Sequence, residues 1–265
     1  MSKVIAIMNE KGGCAKTTTA TALAYLLAKQ GKKTALIDYD GQANASLLMG
    51  VRNPLTLQVT VSNLLNCIIQ EEQLPEPKTY IIKTDCGVDL IPANRKLASL
   101  ERDLVSVNFR EYILKQYVDT IRDNYDYVLI DCMPQMGTPM VNVLMCADSL
   151  IIPTQTEILS LQAVQELVKH YVKVKSKPFP FGNPKIEVEG ILVTMDTQRT
   201  IVSAQMKDMI DGTFGGKLPI FDTCIPRSSK VAEAAMYGKT ICEYMPRNKA
   251  ALAYQNFAKE LMKHE

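Results

Sequence analysis

The first forty residues constrain the fold more than any other part of the chain. An apolar run at 4–8 leads into the glycine-rich stretch Lys11-Gly12-Gly13-Cys14-Ala15-Lys16-Thr17-Thr18. That stretch opens an Ala/Leu-rich segment, 17–30, which stops at Gly31. A short uninterrupted apolar run is how a strand buried on both faces reads, and glycine is the usual helix stop. A second apolar run, 34–38, closes on Asp38 and Asp40, and 41–44 turns the chain. Strand, loop, helix and strand in that order make a right-handed βαβ unit.

The same alternation resumes downstream. Helices are expected near 61–69, 109–124, after Thr138, at 158–175, 201–214 and 229–237, and from Lys249 onward. Ser229 is expected to cap the 229–237 helix and Gly238 to end it. Strands are expected near 80–83, 88–91, 127–130, 148–153 and 188–195, with a short one at 223–225. Pro75 and Pro77 break the first half, and three prolines mark 175–184 as a surface loop. The fold class that follows is α/β, a single domain over 1–265 whose mostly parallel twisted sheet carries helices on both faces, and the glycine-rich loop at 11–18 between its first strand and first helix makes a P-loop NTPase the expected form. Ligands then bind beyond the C-terminal ends of the strands.

Composition narrows the function. The run at 4–8 is broken by Glu10 and Lys11, too short for a signal-peptide core, and no stretch approaches the roughly 18 apolar residues of a spanning helix. Seven cysteines without a C-x-x-C pair argue for reduced thiols rather than a disulfide framework or zinc site. Cys132 reads as a small residue in a tight turn rather than a cluster ligand. With 30 basic against 28 acidic residues, any nucleic-acid contact must come from a local patch. His170 and His264 lie in lysine-containing helical stretches without a ligand partner at close spacing.

A glycine-rich loop between a strand and a helix is the context of a Walker A motif. Its backbone N–H groups and the helix N-terminus attract phosphate, Lys16 reaches the β- and γ-phosphates, and Thr17 ligates Mg²⁺. The general form G-x-x-x-x-G-K-S/T is nevertheless not met, because Glu10 and Ala15 stand where its glycines would be. The stretch K-G-G-x-x-K-T-T instead resembles the deviant Walker A of the ParA/MinD superfamily, K-G-G-x-G-K-T-S/T, with Ala15 the one departure. A positive φ at position 15 would make alanine cost about 1 kcal/mol there. The resemblance implies that Lys11 crosses a nucleotide-sandwich homodimer to touch the partner's ATP, as an arginine finger does. An ordinary solvated loop lysine is the alternative.

Asp38-Tyr39-Asp40-Gly41-Gln42-Ala43-Asn44-Ala45-Ser46 resembles the family switch D-x-D-P-Q-G-N-A-T/S, with Gly41 for proline and Ala43 for glycine. Asp40 is the candidate catalytic carboxylate, ordering the attacking water or holding Mg²⁺ through water, while Asp38 supports the metal shell. The alternative is a pair of strand-end aspartates facing solvent. Residues 127–131 read as a Walker B strand delivering Asp131 to the metal's water shell. The following Cys132-Met133-Pro134-Gln135-Met136-Gly137 resembles D-C-P-P-S-L-G less closely.

Further stretches, Ile152-Pro153-Thr154-Gln155-Thr156-Glu157, Leu192-Val193-Thr194-Met195-Asp196 and Ile225-Pro226-Arg227, extend the ParA resemblance over nearly the whole chain. The first strand starts at Lys3, so the chain looks like the small, Soj-like form without an N-terminal helix-turn-helix domain. The resemblance implies a cytoplasmic, nucleoid-associated ATPase that dimerises with ATP, binds double-stranded DNA without sequence preference and answers to a ParB-like partner. Arg199, Arg227, Lys230, Arg247 and Lys249 are the candidate DNA cations. Three rivals stand beside this reading. One is a MinD-like membrane-cycling ATPase, using the stripe Ala250, Tyr254, Phe257, Leu261, although such stripes usually pack on their own core. The others are a metabolic P-loop enzyme and a ParA-like positioner of non-DNA cargo. Stable membrane insertion is not expected.

Overall fold

The computed structural model describes residues 2–99, 102, 104–197 and 200–263. Candidate cation Arg199, and His264, lie outside them. Seven strands form one sheet: β1 Lys3–Ile7, β2 Thr34–Tyr39, β3 Ile82–Lys83, β4 Asp89–Ile91, β5 Tyr127–Cys132, β6 Ser149–Thr154 and β7 Glu187–Val193. Their order is β3-β4-β2-β5-β1-β6-β7, and only β3 runs antiparallel to its neighbour. The helices are α1 Lys16–Lys29, α2 Asn44–Leu48, α3 Val61–Ile69, α4 Ile113–Ile121, α5 Thr138–Cys146, α6 Ile158–Lys175, α7 Ile201–Phe214, α8 Lys230–Met236, α9 Ile241–Tyr244 and α10 Lys249–Lys263.

Side chains alternate across each strand, so the central strands feed two cores. Val4, Ala6, Ile37, Val128 and Ile130 meet α3, α4, α5 and α6 on one face. Ile5, Ile7, Leu36 and Leu129 meet α1 and α10 on the other. Both faces are covered, and β2, β5 and β6 are buried along their whole length, while β7 at the sheet edge keeps Glu187 exposed. The α10 stripe Ala250, Tyr254, Phe257 and Leu261 is buried in this second core, and Tyr254 shares a 3.1 Å hydrogen bond with Thr19 of α1. No helix among the described residues is long and apolar enough to cross a membrane.

Several local expectations need correction. Residues 223–225 form no strand; isolated bridges flank the segment, Ile220 to Ile191 before it and Pro226 to Asp196 after it. Ser229 is itself in helical conformation (φ −62°, ψ −23°) and makes no capping hydrogen bond with its side chain; Ser228 Oγ accepts from the Lys230 N–H at 3.3 Å instead. The 109–124 helix is α-helical only over Ile113–Ile121, with tighter 3₁₀ turns at Arg110–Tyr112 and Arg122–Asn124. Phe109 enters it in the left-handed region at φ 54°, which no continuing helix tolerates. The 80–83 strand shrinks to Ile82–Lys83, and two short helices, α2 and α9, were not expected.

Candidate functional site

The loop after β1 is held by its carbonyls. Lys16 Nζ donates to the Lys11 carbonyl at 2.9 Å, Gln155 Nε2 to that of Gly13 at 2.9 Å, and Thr194 Oγ1 to that of Cys14 at 3.0 Å. The Ala15 carbonyl accepts from the Thr19 N–H at 2.9 Å. With these acceptors engaged, the first N–H groups of α1, which have no partner within the helix, are left to meet an anion. Gly13 has φ 76° and Ala15 φ 66°. Position 15 therefore does require the left-handed conformation, and alanine carries strain there.

Gly12, Gly13, Ala15, Lys16, Thr17, Thr18 and Asp40 line one cavity of about 340 Å³, joined by Gln42, Asn44, Pro134 and Met195. A Cβ at Gly12 or Gly13 would meet no atom within 4 Å, so the glycines border open space. Cys14 instead faces the interior. A neighbouring cavity of about 490 Å³ shares Ala15, Thr18 and Met195 and is closed by Leu48, Ile225, Pro226, Val231 and Tyr254 among others. Met195, at φ 50°, stands between the two.

Asp38 and Asp131 face each other in register on β2 and β5. Asp38 is buried; its Oδ2 accepts from Ser46 N–H and Oγ, both at 2.7 Å, and its Oδ1 from the Asp40 N–H at 3.3 Å. Burial dominates and pushes its pKa up to about 7 despite those bonds. Its carboxylate thus ties α2 to the strand end rather than facing the cavity freely. Asp131 is also buried, and neither oxygen has a hydrogen-bond partner among the described residues. Burial raises it well above the carboxylate range, the nearby Asp38 charge adds to this, and Thr17 and Lys16 oppose it. An orphaned buried carboxylate beneath a threonine hydroxyl and a half-buried aspartate is a hard-oxygen set, and it suits Mg²⁺.

Lys11 is neither free in solvent nor turned to the cavity. Its Nζ pairs with Glu157 at 2.5 Å and donates to Ser160 Oγ at 2.9 Å and Gln155 Oε1 at 3.4 Å, at the start of α6. Among the DNA candidates, Arg227 is exposed at the rim of the larger cavity, Lys230 pairs with Glu233 at 2.5 Å, and Arg247 and Lys249 are exposed where α10 begins. Sequence reasoning missed Met195 and Glu157 as site residues. Both follow strand ends and lie in the family-like stretches 152–157 and 192–196, the two signals that could have flagged them.

A phosphate-binding loop at the end of an interior strand of a mostly parallel sheet, with a carboxylate at the end of the adjacent central strand, defines a P-loop nucleotide-binding protein. Comparisons with known proteins narrow the class. An AAA domain family, AAA_31, matches residues 2–188. Sporulation initiation inhibitor protein Soj of Bacillus subtilis is 34% identical over 261 residues, covering 98% of each chain. Chromosome partitioning protein ParA of Caulobacter vibrioides is 34% identical over 266 residues, covering 99% of this chain and 95% of that protein. The structure of cobyrinic acid a,c-diamide synthase from Mycobacterium smegmatis with bound ADP and magnesium superposes with a TM-score of 0.83 at 31% identity, covering 100% and 95%. Cell division ATPase MinD of Pyrococcus furiosus shares the fold at a TM-score of 0.76 and 22% identity, covering 100% of each chain. The chain belongs to the ParA/Soj family of P-loop ATPases.

Proposed function

We propose that this chain is a magnesium-dependent ATPase switch that closes as a homodimer on ATP, holds DNA without sequence preference, and segregates plasmid or chromosomal DNA with a ParB-like partner. The observation that carries the site assignment is the orphaned Asp131 carboxylate beneath a loop held by its carbonyls. Phosphates bind along Gly12, Gly13, Cys14, Ala15, Lys16, Thr17 and Thr18, with the Lys16 ammonium turning from the Lys11 carbonyl to the β- and γ-phosphates. The base enters the apolar cavity between Leu48 and Pro226. Thr17 would hold Mg²⁺, with Asp40 and Asp131 supporting it through water, and the ion would draw charge from the phosphate oxygens. Asp40 orients the attacking water. Lys11 leaves Glu157 and contacts the partner's nucleotide.

Full-length resemblance to Soj and ParA supports the partition role, with Arg199, Arg227, Lys230, Arg247 and Lys249 as phosphate contacts. The burial of the α10 stripe disfavours a MinD-like membrane helix. The test is a gel shift with random-sequence DNA in ATP, ADP and no nucleotide, at two salt concentrations, alongside Lys11→Ala. Salt-sensitive binding that requires ATP and Lys11 supports the reading. ATP-dependent dimers without DNA binding would move it to a positioner of other cargo. ATP turnover driven by cobyrinic acid and an amide-nitrogen donor would move it to the synthase class.

A further inference from the structure

The loop joining α6 to β7 holds two phenylalanines outside the fold. Phe179 is 68% exposed and Phe181 74%. The loop is nonetheless tightly built. Asn183 Nδ2 donates to the Leu144 and Ala147 carbonyls, both at 2.9 Å, and the Asn183 N–H to Val174 O at 3.1 Å. The Phe181 N–H closes a turn on Pro178 O at 2.9 Å. Gly182 packs so closely that a Cβ there would lie 2.3 Å from Val174 O. The Phe179 ring rests edge-on against Tyr112, centroids 5.7 Å apart. One turn earlier Phe109 is 68% exposed, and Asn142 of α5 clamps that segment through Arg110 O at 2.7 Å. Two loops anchored to the same helix thus present three aromatic rings to solvent.

Charge surrounds these rings. Between Glu166 and Glu187 there are five lysines and no carboxylate. Lys169 pairs with Glu166 and Lys175 with Glu187, at 2.6 and 2.7 Å. Lys173, Lys177 and Lys185 are exposed without an acidic partner among the described residues.

We propose that this loop docks the protein on an anionic lipid surface, with Phe179 and Phe181 entering the headgroup boundary and Lys173, Lys177 and Lys185 meeting the lipid phosphates. Both rings stand mostly in solvent on a turn tied down by its own backbone and by Asn183, and a planar interface can receive them there. Aromatic tips backed by unpaired cations match a boundary that is apolar below and anionic above. A DNA backbone offers the cations their partners but gives two exposed rings no apolar phase. The 18 residues of α6 place the loop roughly 27 Å from Lys11 and Glu157, so docking leaves the nucleotide site clear.

The experiment is co-sedimentation of the full chain with extruded vesicles of phosphatidylcholine alone or mixed equally with phosphatidylglycerol, at low and high salt. Tested alongside are Phe179→Ser/Phe181→Ser and Lys173→Gln/Lys177→Gln/Lys185→Gln, each checked for unchanged melting temperature and ATP binding. The native chain is expected to bind the anionic vesicles at least about a hundredfold better than the neutral ones. The phenylalanine variant is expected to lose about tenfold and the lysine variant about a hundredfold, near fivefold per cation. Phe181→Trp introduces the chain's one indole, and its emission should shift to the blue on anionic vesicles. Absence of vesicle binding, undiminished binding by the phenylalanine variant, or an unshifted indole would overturn the proposal. Capture of an acidic protein through this loop without vesicle binding would likewise overturn it and assign the face to a protein partner.

Discussion

Helices α1 and α2 begin alike and are held differently. Each is preceded by an alanine in the left-handed conformation, Ala15 at φ 66° and Ala43 at φ 54°, and neither has a side-chain cap. The start of α1 is tied through its carbonyls to Lys16, Gln155 and Thr194, drawn from α1 itself and from the segments after β6 and at the end of β7. The side-chain anchor of α2 is one carboxylate, Asp38, gripping Ser46. The first is a cradle that a ligand finds preformed. The second is a latch closed by a single buried acid.

The largest effect should come from the cradle. Lys16→Ala is expected to weaken ATP binding by at least about a hundredfold, about 3 kcal/mol, as read by titration calorimetry; near-native affinity would show that the loop binds phosphate through its backbone alone. At the latch, Ser46→Ala removes a buried donor to Asp38 and an acceptor of the Ala93 N–H at 3.2 Å. It should destabilise the protein by about 2 kcal/mol in urea unfolding, and a loss within error would mean that α2 is secured elsewhere.

The acid pair gives a pH signature. Asp38 titrates near 7 in the folded chain, above the roughly 3.9 of a free aspartate, so between these values the folded state binds more protons than the unfolded one. Stability of the nucleotide-free protein should therefore rise as pH falls from about 7.5 to 5, with a slope of at most about 1.4 kcal/mol per unit per group. Scanning calorimetry across that range checks it, and magnesium with ATP should flatten the trend; stability that falls toward pH 5 would break the latch argument. The smallest effects concern the strain that the two helices share. Ala15→Gly and Ala43→Gly each relieve a left-handed alanine but add chain entropy to the unfolded state, for a net gain of about 0.5 kcal/mol in matched melts. A loss at either position would mean that its methyl packs usefully, and would set the two helix starts apart.

The parts legible in the sequence were those set by near neighbours. The apolar run, the glycines, Lys16 and Thr17 lie within fifteen residues, and α3, α6 and α7 begin and end where periodicity placed them. Asp38 and Asp131 could each be read as strand ends, but their opposition is a matter of register between strands almost a hundred residues apart. The partner of Lys11 lies 146 residues away, beyond any local pattern. Residues 223–225 have the β-branched look of a strand, yet the backbone bonds only at single points, as the Ile225 N–H does to Val193 O at 2.8 Å. Propensity described the residues there, and the sheet edge decided otherwise.

The Lys11–Glu157 pair has one more consequence. A tethered carboxylate confronts its lysine at an effective concentration on the order of millimolar, whatever the dilution of the protein. A phosphate that arrives on another molecule must outcompete that internal ligand for the same ammonium. The internal pair therefore lowers the apparent affinity of Lys11 for any other anion by a constant factor, the same at every protein concentration.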